Sequence, residues 1–512
     1  MKPVASNDQM READRLTIEE IGIPGMVLME TASRAVALKA RGMLGGNCRS
    51  KRVICICGKG NNGGDGLAVS RHLTGWGIEV VTYLLCPAES LRGDAAHNYE
   101  ILHRVGGRID IVATVEDARR LLLDCDLIID AILGTGFVPP ANELYSAIIQ
   151  RMNQSGKPIL SVDIPSGVAG EDGWVEGEAV HATATVTFAM LKPGLLLSPG
   201  RDYVGELSVA DIGIPPMIVN RQSINCHLVE ASDVHKALPL LKSNAHKGDA
   251  GIVYLLAGSP GLTGAATMAA ESAMRTGAGL VTVGVPRSLN SILEMKLTEP
   301  MTEPLDETES GGLSIRAWNT ILARLPGSDA VAFGPGVGRH PETGELLAKL
   351  LIECLKPMVI DADGLYLLAG KPELFQHLSG KTVLTPHTGE FARLTGLPLE
   401  DIRKNPVDRA REFAVKWGTV LHLKGAPSIT ASPSGDVFFN STGNNGMATG
   451  GSGDVLTGVI VSLLAAGLDP ATAAWAGSYV HGVAGDLARA AKGVRGMTAL
   501  DIIHHLPSAL LS

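Results

Sequence analysis

The chain has 512 residues, 45% hydrophobic and 19% charged, too many for one ordinary core and comfortable for two domains. Its net charge of −9, with no dense Lys/Arg run, argues against a nucleic-acid binder. A 4% aromatic content and 61 glycines favour α/β architecture, and seven cysteines, odd in number and without a C-x-x-C pair, argue against a disulfide framework or a zinc site.

The polar start MKPVASNDQMREADRL lacks the apolar core of a signal peptide. The longest apolar run, residues 455–468, is too short to span a bilayer. A soluble cytoplasmic protein with no membrane partner is expected. Residues 8–41 read as one or two helices broken at GIPG. RVICIC, IEVVTYLL, DLIIDAIL and PILSVDIP then read as strands of a parallel sheet buried on both faces. Amphipathic stretches such as GDAAHNYEILHRVG and VEDARRLLLD separate them, in the βαβ rhythm of a doubly wound sheet. The pattern loosens after Leu207, which places a boundary near residue 225 and domains over 1–225 and 226–512. The second half resumes with GIVYLLAGS, GLVTVGVP, DAVAFGPG, KPMVIDAD, KTVLTPH and GTVLHLKG, each a strand ending in a polar loop. The tail from Asp454 is helical.

Open parallel sheets bind ligands outside the carboxyl ends of their strands. Three loops of the first half fall there: GKGNNGGDG (58–66), DAILGTGF with Asp130, and DIPSG with Asp163 and Ser166. GKGNNG matches G-x-G-x-x-G, but the acid near the expected distance, Glu79, opens its strand, so a standard dinucleotide grip is not indicated. The surplus of glycine points to something pressing close on the backbone. Backbone N–H groups here suit a diphosphate, and asparagine oxygen, carboxylates and a serine hydroxyl are hard ligands for an alkali or alkaline-earth cation.

The second constellation is MATGGSGDVLTG (447–458), whose glycines lead into an apolar helix. Free N–H groups at that start form an anion hole, and Asp454 beside it suits a base that deprotonates a hydroxyl attacking a phosphoryl group. No G-x-x-x-x-G-K-[ST] is present. KGAPS (424–428), GPGVG (334–338), DADG (361–364) and TPHTGE (385–390) again close strands. His387 shares that edge, whereas His481 reads as a helix-interior residue.

GIPGMVLMETAS, GKGNNGGDG, DAILGTG, DIPSG and LKPG resemble the N-terminal domain of the NAD(P)H-hydrate epimerases. HKGDAG, GSPGLTGAA, GPGVG, TPHTGE and GNNGMATGGSGDVLTG resemble the ribokinase-like NAD(P)H-hydrate dehydratases. The resemblance spans nearly the whole chain. It implies a Rossmann-like three-layer α/β domain followed by a ribokinase-like α/β domain. It also implies epimerisation of R and S hydrates of NADH and NADPH, then ADP-dependent dehydration of the S form with AMP and phosphate released.

Carried over by motif, Asn61, Asn62, Gly63, Gly64 and Asp65, with Gly134, Thr135, Gly136, Phe137, Val138, Pro139 and Pro140, would hold the hydrate in the epimerase site. Asp163 would contact it and handle a proton, with Lys192 as the alternative. Asn62, Asp130 and Ser166 would ligate potassium. In the dehydratase site Ala265, Gly336, His387 and Asp454 would meet the hydrate, with Asp454 as base. Lys424, Gly425, Ala426, Pro427, Ser428 and Gly453 would meet the nucleotide, which brings magnesium. Thr388 and Gly364 depart from the family's usual residues. The competing readings are a vitamin-type small-molecule kinase and, for the first half, a non-catalytic nucleotide-binding module. A homo-oligomer is compatible with the N-terminal helices, and ADP versus ATP stays open.

Overall fold

The computed structural model describes residues 1–45, 48, 50–121, 123–240 and 243–511. It divides into two compact units, Lys2–Ile224 and Asn225–Ser512, the latter also counting Met1.

In the first unit, helix α1 (Asn7–Leu16) starts on a reciprocal cap: the Ser6 hydroxyl accepts from Gln9 N, and the Gln9 side chain accepts from Ser6 N. One π turn over Thr17–Ile21 ends at Gly22, whose φ of 84° few other residues tolerate. Helix α2 (Gly25–Met43) follows, so the chain does break at GIPG.

Seven parallel strands form the sheet: β1 (Arg52–Cys57), β2 (Glu79–Leu84), β3 (Arg108–Ile111), β4 (Leu127–Ala131), β5 (Ile159–Val162), β6 (Ala184–Phe188) and β7 (Glu206–Ala210), in the order β3-β2-β1-β4-β5-β6-β7. Four of these are the predicted apolar runs. Both faces are covered, which is why β1 and β4 are buried almost residue by residue. The chain winds outward from β1 to β3 and then returns to lay β4 beside β1. The strand order therefore reverses between β1 and β4, the position beyond whose carboxyl ends such sheets bind ligands.

The second unit repeats this logic. Strands β9 (Ile252–Leu256), β10 (Leu280–Pro286), β11 (Met301–Leu305), β12 (Ala330–Phe333), β13 (Met358–Ile360), β14 (Thr382–Leu384) and β15 (Val420–Leu423) are parallel, in the order β15-β14-β13-β12-β9-β10-β11. Beyond β15, β16 (Ile429–Ala431) and β17 (Val437–Phe439) run antiparallel, and β8 (Cys226–Leu228) pairs with β17. Here the order reverses between β9 and β12. Helix α4 (Thr263–Thr276) and helix α6 (Ser452–Ala465) lie side by side over the sheet. They approach closely because Gly458 leaves no side chain against Ala269 and Ser272. Helix α7 (Pro470–Lys492) carries the buried His481, as expected.

Among the described residues no helix is long and apolar enough to cross a membrane. The predicted three-layer and α/β architectures both stand.

Candidate active sites

At the first reversal, helix α3 (Asn61–Gly75) begins directly after the loop that leaves β1. Its glycines answer mainly to the protein itself. A Cβ on Gly63 would run into the Gly58 carbonyl, and one on Gly66 into Ala131 and Cys57. The expectation that a ligand presses on this backbone is thus corrected at those positions: the loop's own Gly58 presses on Gly63, and the sheet presses on Gly66. Gly60 alone among the glycines of residues 58–66 has open space where a Cβ would sit.

The side chains do converge. Asn62 Nδ2 donates to the Leu133 carbonyl at 2.7 Å, while its Oδ1 is buried without a hydrogen-bond partner. Asp130, fully buried at the end of β4, accepts from Ser161 Oγ (2.8 Å), Ser166 N (2.8 Å) and Ser166 Oγ (2.5 Å). Burial raises its pKa against the pull of those Ser166 bonds. Ser166 Oγ also accepts from Leu133 N, so Asn62, Asp130 and Ser166 share one small network. Gly134 borders Asn62, with the position of a Cβ lying 3.3 Å from Asn62 Cβ. Phe137 N closes a turn onto Gly134 O, and Thr135 and Pro139 are half-buried. Asn61, Gly136, Val138 and Pro140 are exposed, with Val138 80% accessible, and lie away from the buried floor.

Asp163 follows β5 with φ 66°, a left-handed conformation costly for a non-glycine residue and typical of functional turns. Its Oδ1 accepts from Lys192 Nζ (2.7 Å), Thr187 Oγ1 (2.9 Å) and Phe188 N (3.2 Å). Lys192 is 1% exposed, and its amine also donates to Thr187 Oγ1 and Phe188 O. Two further acids face this pair. Asp65 is pushed well up by burial and then by Asp163. Asp14, on α1, is pushed up to about 6 by burial, with Lys192 pulling it down and Asp163 up. Sequence reasoning missed Asp14, one of five acids ahead of the GIPG break with nothing local to set it apart.

At the second reversal, Gly258 N bonds Pro335 O at 3.0 Å, tying the β9 and β12 loops together. Gly336, φ 63°, lets that loop abut the start of α4; a Cβ would sit 3.2 Å from Ala265 Cβ. Gly451, φ 94°, turns the chain into α6, and among the described residues the N–H groups of Gly453 and Asp454 meet no backbone acceptor. These orphan donors lie where the sequence reading expects an anion hole. Lys424 ends β15 beside Gly453, its Nζ 3.3 Å from the position of a Gly453 Cβ. It pairs with Asp361 at 2.8 Å and approaches Glu390 at 3.8 Å. Burial would lower its pKa, but Asp361 and Glu390 outweigh that and raise it. The rest of the loop, Gly425, Ala426, Pro427 and Ser428, is exposed or half-buried at the same strand end.

Asp454 is pushed up to about 7 by burial and by the Asp361 carboxylate, with Lys424 opposing. Asp363, which also repels it, holds Gly338 N (3.1 Å) and Arg339 Nε (2.8 Å), linking the Gly336 loop to Asp454. His387 caps helix α5 (Thr388–Thr395): Nδ1 accepts from Gly389 N and Glu390 N, and Nε2 of the 60% exposed side chain stands 3.6 Å from Glu390 Oε2. Thr388 sits inside that cap without disrupting it. Thr457 Oγ1 donates to Asp361 Oδ2 at 2.8 Å. Asp361, Asp363, Glu390 and Thr457 were not assigned roles from sequence, although DADG and TPHTGE carried three of them.

Two topological crevices, each holding a lysine–carboxylate pair beside an acid with a raised pKa, define a two-site α/β enzyme. Residues 253–508 match the NAD(P)H-hydrate dehydratase family, and residues 25–194 match the family described as YjeF-related protein N-terminus. The chain is 45% identical over 505 residues to the bifunctional NAD(P)H-hydrate repair enzyme Nnr of Moorella thermoacetica, covering 98% of this chain and 95% of that one. It is 37% identical over 509 residues to the enzyme of the same name from Thermofilum pendens, covering 99% and 96%. A solved ADP/ATP-dependent NAD(P)H-hydrate dehydratase from Bacillus subtilis, co-crystallized with ATP/Mg2+, is similar at 29% identity and TM-score 0.48, over 56% of this chain and 98% of that one. The chain belongs to the bifunctional NAD(P)H-hydrate repair enzymes. That membership favours repair over the vitamin-kinase reading.

Proposed function

We propose that the first unit interconverts the R and S hydrates of NADH and NADPH, and that the second dehydrates the S hydrate at the expense of a nucleotide. The observation that carries the reading is the juxtaposition of Asp454 with the open N–H groups of α6 and the Lys424 amine. Phosphate oxygens fit the N–H groups and the lysine, and Asp454 takes the proton of the C6 hydroxyl as it attacks the terminal phosphoryl group. Expulsion of that phosphate, assisted by the ring nitrogen lone pair, leaves an iminium ion, and loss of a proton from C5 then restores the C5=C6 double bond of the reduced nicotinamide. With ADP the other product is AMP.

Magnesium would neutralise charge on the phosphates. Both Asp361 oxygens are engaged by Lys424 and Thr457, which fits an ion carried in by the nucleotide better than one caged by the protein. Potassium suits the first site. The orphaned Asn62 Oδ1, Asp130 and the Ser166 hydroxyl supply hard oxygen donors, and a cation there would orient the hydrate's polar groups. Cys55, Cys57, Cys86, Cys125, Cys226 and Cys354 are free thiols, in keeping with a reducing cytoplasm.

The test supplies a mixed R/S hydrate with ADP or ATP and follows both epimers. Both are expected to disappear as reduced nicotinamide and inorganic phosphate appear. Loss of the S form alone removes the epimerase assignment, and a stable phosphorylated product removes the dehydratase assignment.

A further inference from the structure

The Ser33 hydroxyl has one proton and two close oxygens. It lies 2.7 Å from the Met29 carbonyl, one turn back in α2, and 3.2 Å from Asp65 Oδ1. A carbonyl can only accept, so the shorter contact takes the Ser33 proton. The Asp65 contact then needs a proton from Asp65 itself. Asp163 is the opposite case: its Oδ1 accepts three donors, one of them an ammonium, as only an ionised carboxylate does well. The two acids thus hold different protonation states in one site, which is how paired carboxyl groups divide acid and base roles.

We propose that Asp65, carrying its proton, is the general acid of the epimerase site, and that ionised Asp163, fixed by Lys192, stabilises the cationic intermediate. The inference rests on the epimerase reading of this unit. Asp65 gives its proton to the C6 hydroxyl oxygen as the C6–O bond breaks. Water departs, and the ring nitrogen lone pair forms the C=N bond of an iminium ion. Water adds to the opposite face, making a new C6–O bond, and its proton returns to Asp65. Atoms and charge balance without any further reactant.

The charges around Asp65 agree. It is buried, with 7% of its surface exposed, and the titratable groups facing it are Asp163, Asp14 and the Cys57 thiol, with Lys192 held beyond Asp163. Burial and two nearby carboxyl groups favour the neutral acid and outweigh the Ser33 contact, which would favour the ionised form if Ser33 were its donor; Ser33 is its one side-chain hydrogen-bond partner among the described residues.

The experiment is infrared difference spectroscopy on the full chain, wild type against Asp65→Asn, alongside R-to-S exchange and hydrate binding. The expected result is a protonated-carboxyl carbonyl band at neutral pH that Asp65→Asn removes, with hydrate still bound and exchange reduced by roughly a hundredfold or more. Asn replaces a neutral group, so the variant should melt at or above the wild-type temperature, by a margin that widens from pH 5 to pH 8. Ser33→Ala provides a second readout: the band persists and shifts, because its hydrogen-bond acceptor is gone. No such band in wild type, or undiminished exchange in folded Asp65→Asn, overturns the proposal. Wild type that binds the hydrate without exchanging it removes the epimerase reading itself, whatever the band shows.

Discussion

The two sites share a motif and differ in how tightly it is held. In the first unit Lys192 is 1% exposed and all three of its acceptors lie within 3.0 Å, so its amine has no donor to spare. In the second, the Lys424 side chain is 20% exposed, bonds Asp361 at 2.8 Å and stands 3.8 Å from Glu390. The first lysine is a fixed countercharge that keeps Asp163 ionised. The second keeps donors for an incoming phosphate. The difference teaches that a buried Lys–Asp pair is not a function; what remains unbonded on the lysine decides it.

The sharpest way to break this contrast is to remove each amine. Lys192→Met leaves Asp163 charged in a closed site, and a loss of ~3–5 kcal/mol in unfolding free energy of the first unit is expected. Lys424→Met should cost less stability, since water reaches its site, and should show instead as weakened nucleotide binding. Denaturant unfolding and nucleotide titration measure the two effects. Equal stability losses would erase the distinction.

A smaller effect sharpens it. With Asp454 pushed up to about 7, the dehydration rate should fall about tenfold per pH unit below that value and level off above it, because the base acts only when ionised. The stability sign is the reverse. A carboxyl group whose folded value lies above its unfolded value favours the fold at low pH and loses that advantage as pH rises through about 7. Asp454→Asn should therefore melt above wild type at pH 8 while its dehydration is strongly reduced. A pH-independent dehydration rate between pH 5 and pH 8 contradicts this assignment.

Much of this was legible in the chain. The central strands are apolar runs because both faces of each sheet are covered, and every such run became a strand. Ala184–Phe188 escaped notice because its sequence, ATVTF, buries two threonines whose hydroxyls bond inside the unit, Thr185 to Val204 O and Thr187 to Asp163. β16 and β17 are three residues each, too short for a pattern to show, and the edge strand β11, MTEPL, lacks a continuous apolar stretch: pairing, not composition, makes them strands. The loops that carry the sites were readable from glycine and acid clusters at strand ends. What they do was only half readable. The glycines of residues 58–66 look like a ligand cradle and largely serve contact between helix and sheet. Asp361 gains its meaning from Lys424, 63 residues on, and Thr457, 96 residues on, contacts that no local pattern announces.

The most direct measurement is Asp454→Asn given the mixed hydrate and nucleotide, with both epimers and the nucleotide followed. The account predicts that the epimers keep interconverting and nucleotide still binds, while dehydration drops by roughly a hundredfold or more. Dehydration at the wild-type rate in that variant would contradict it.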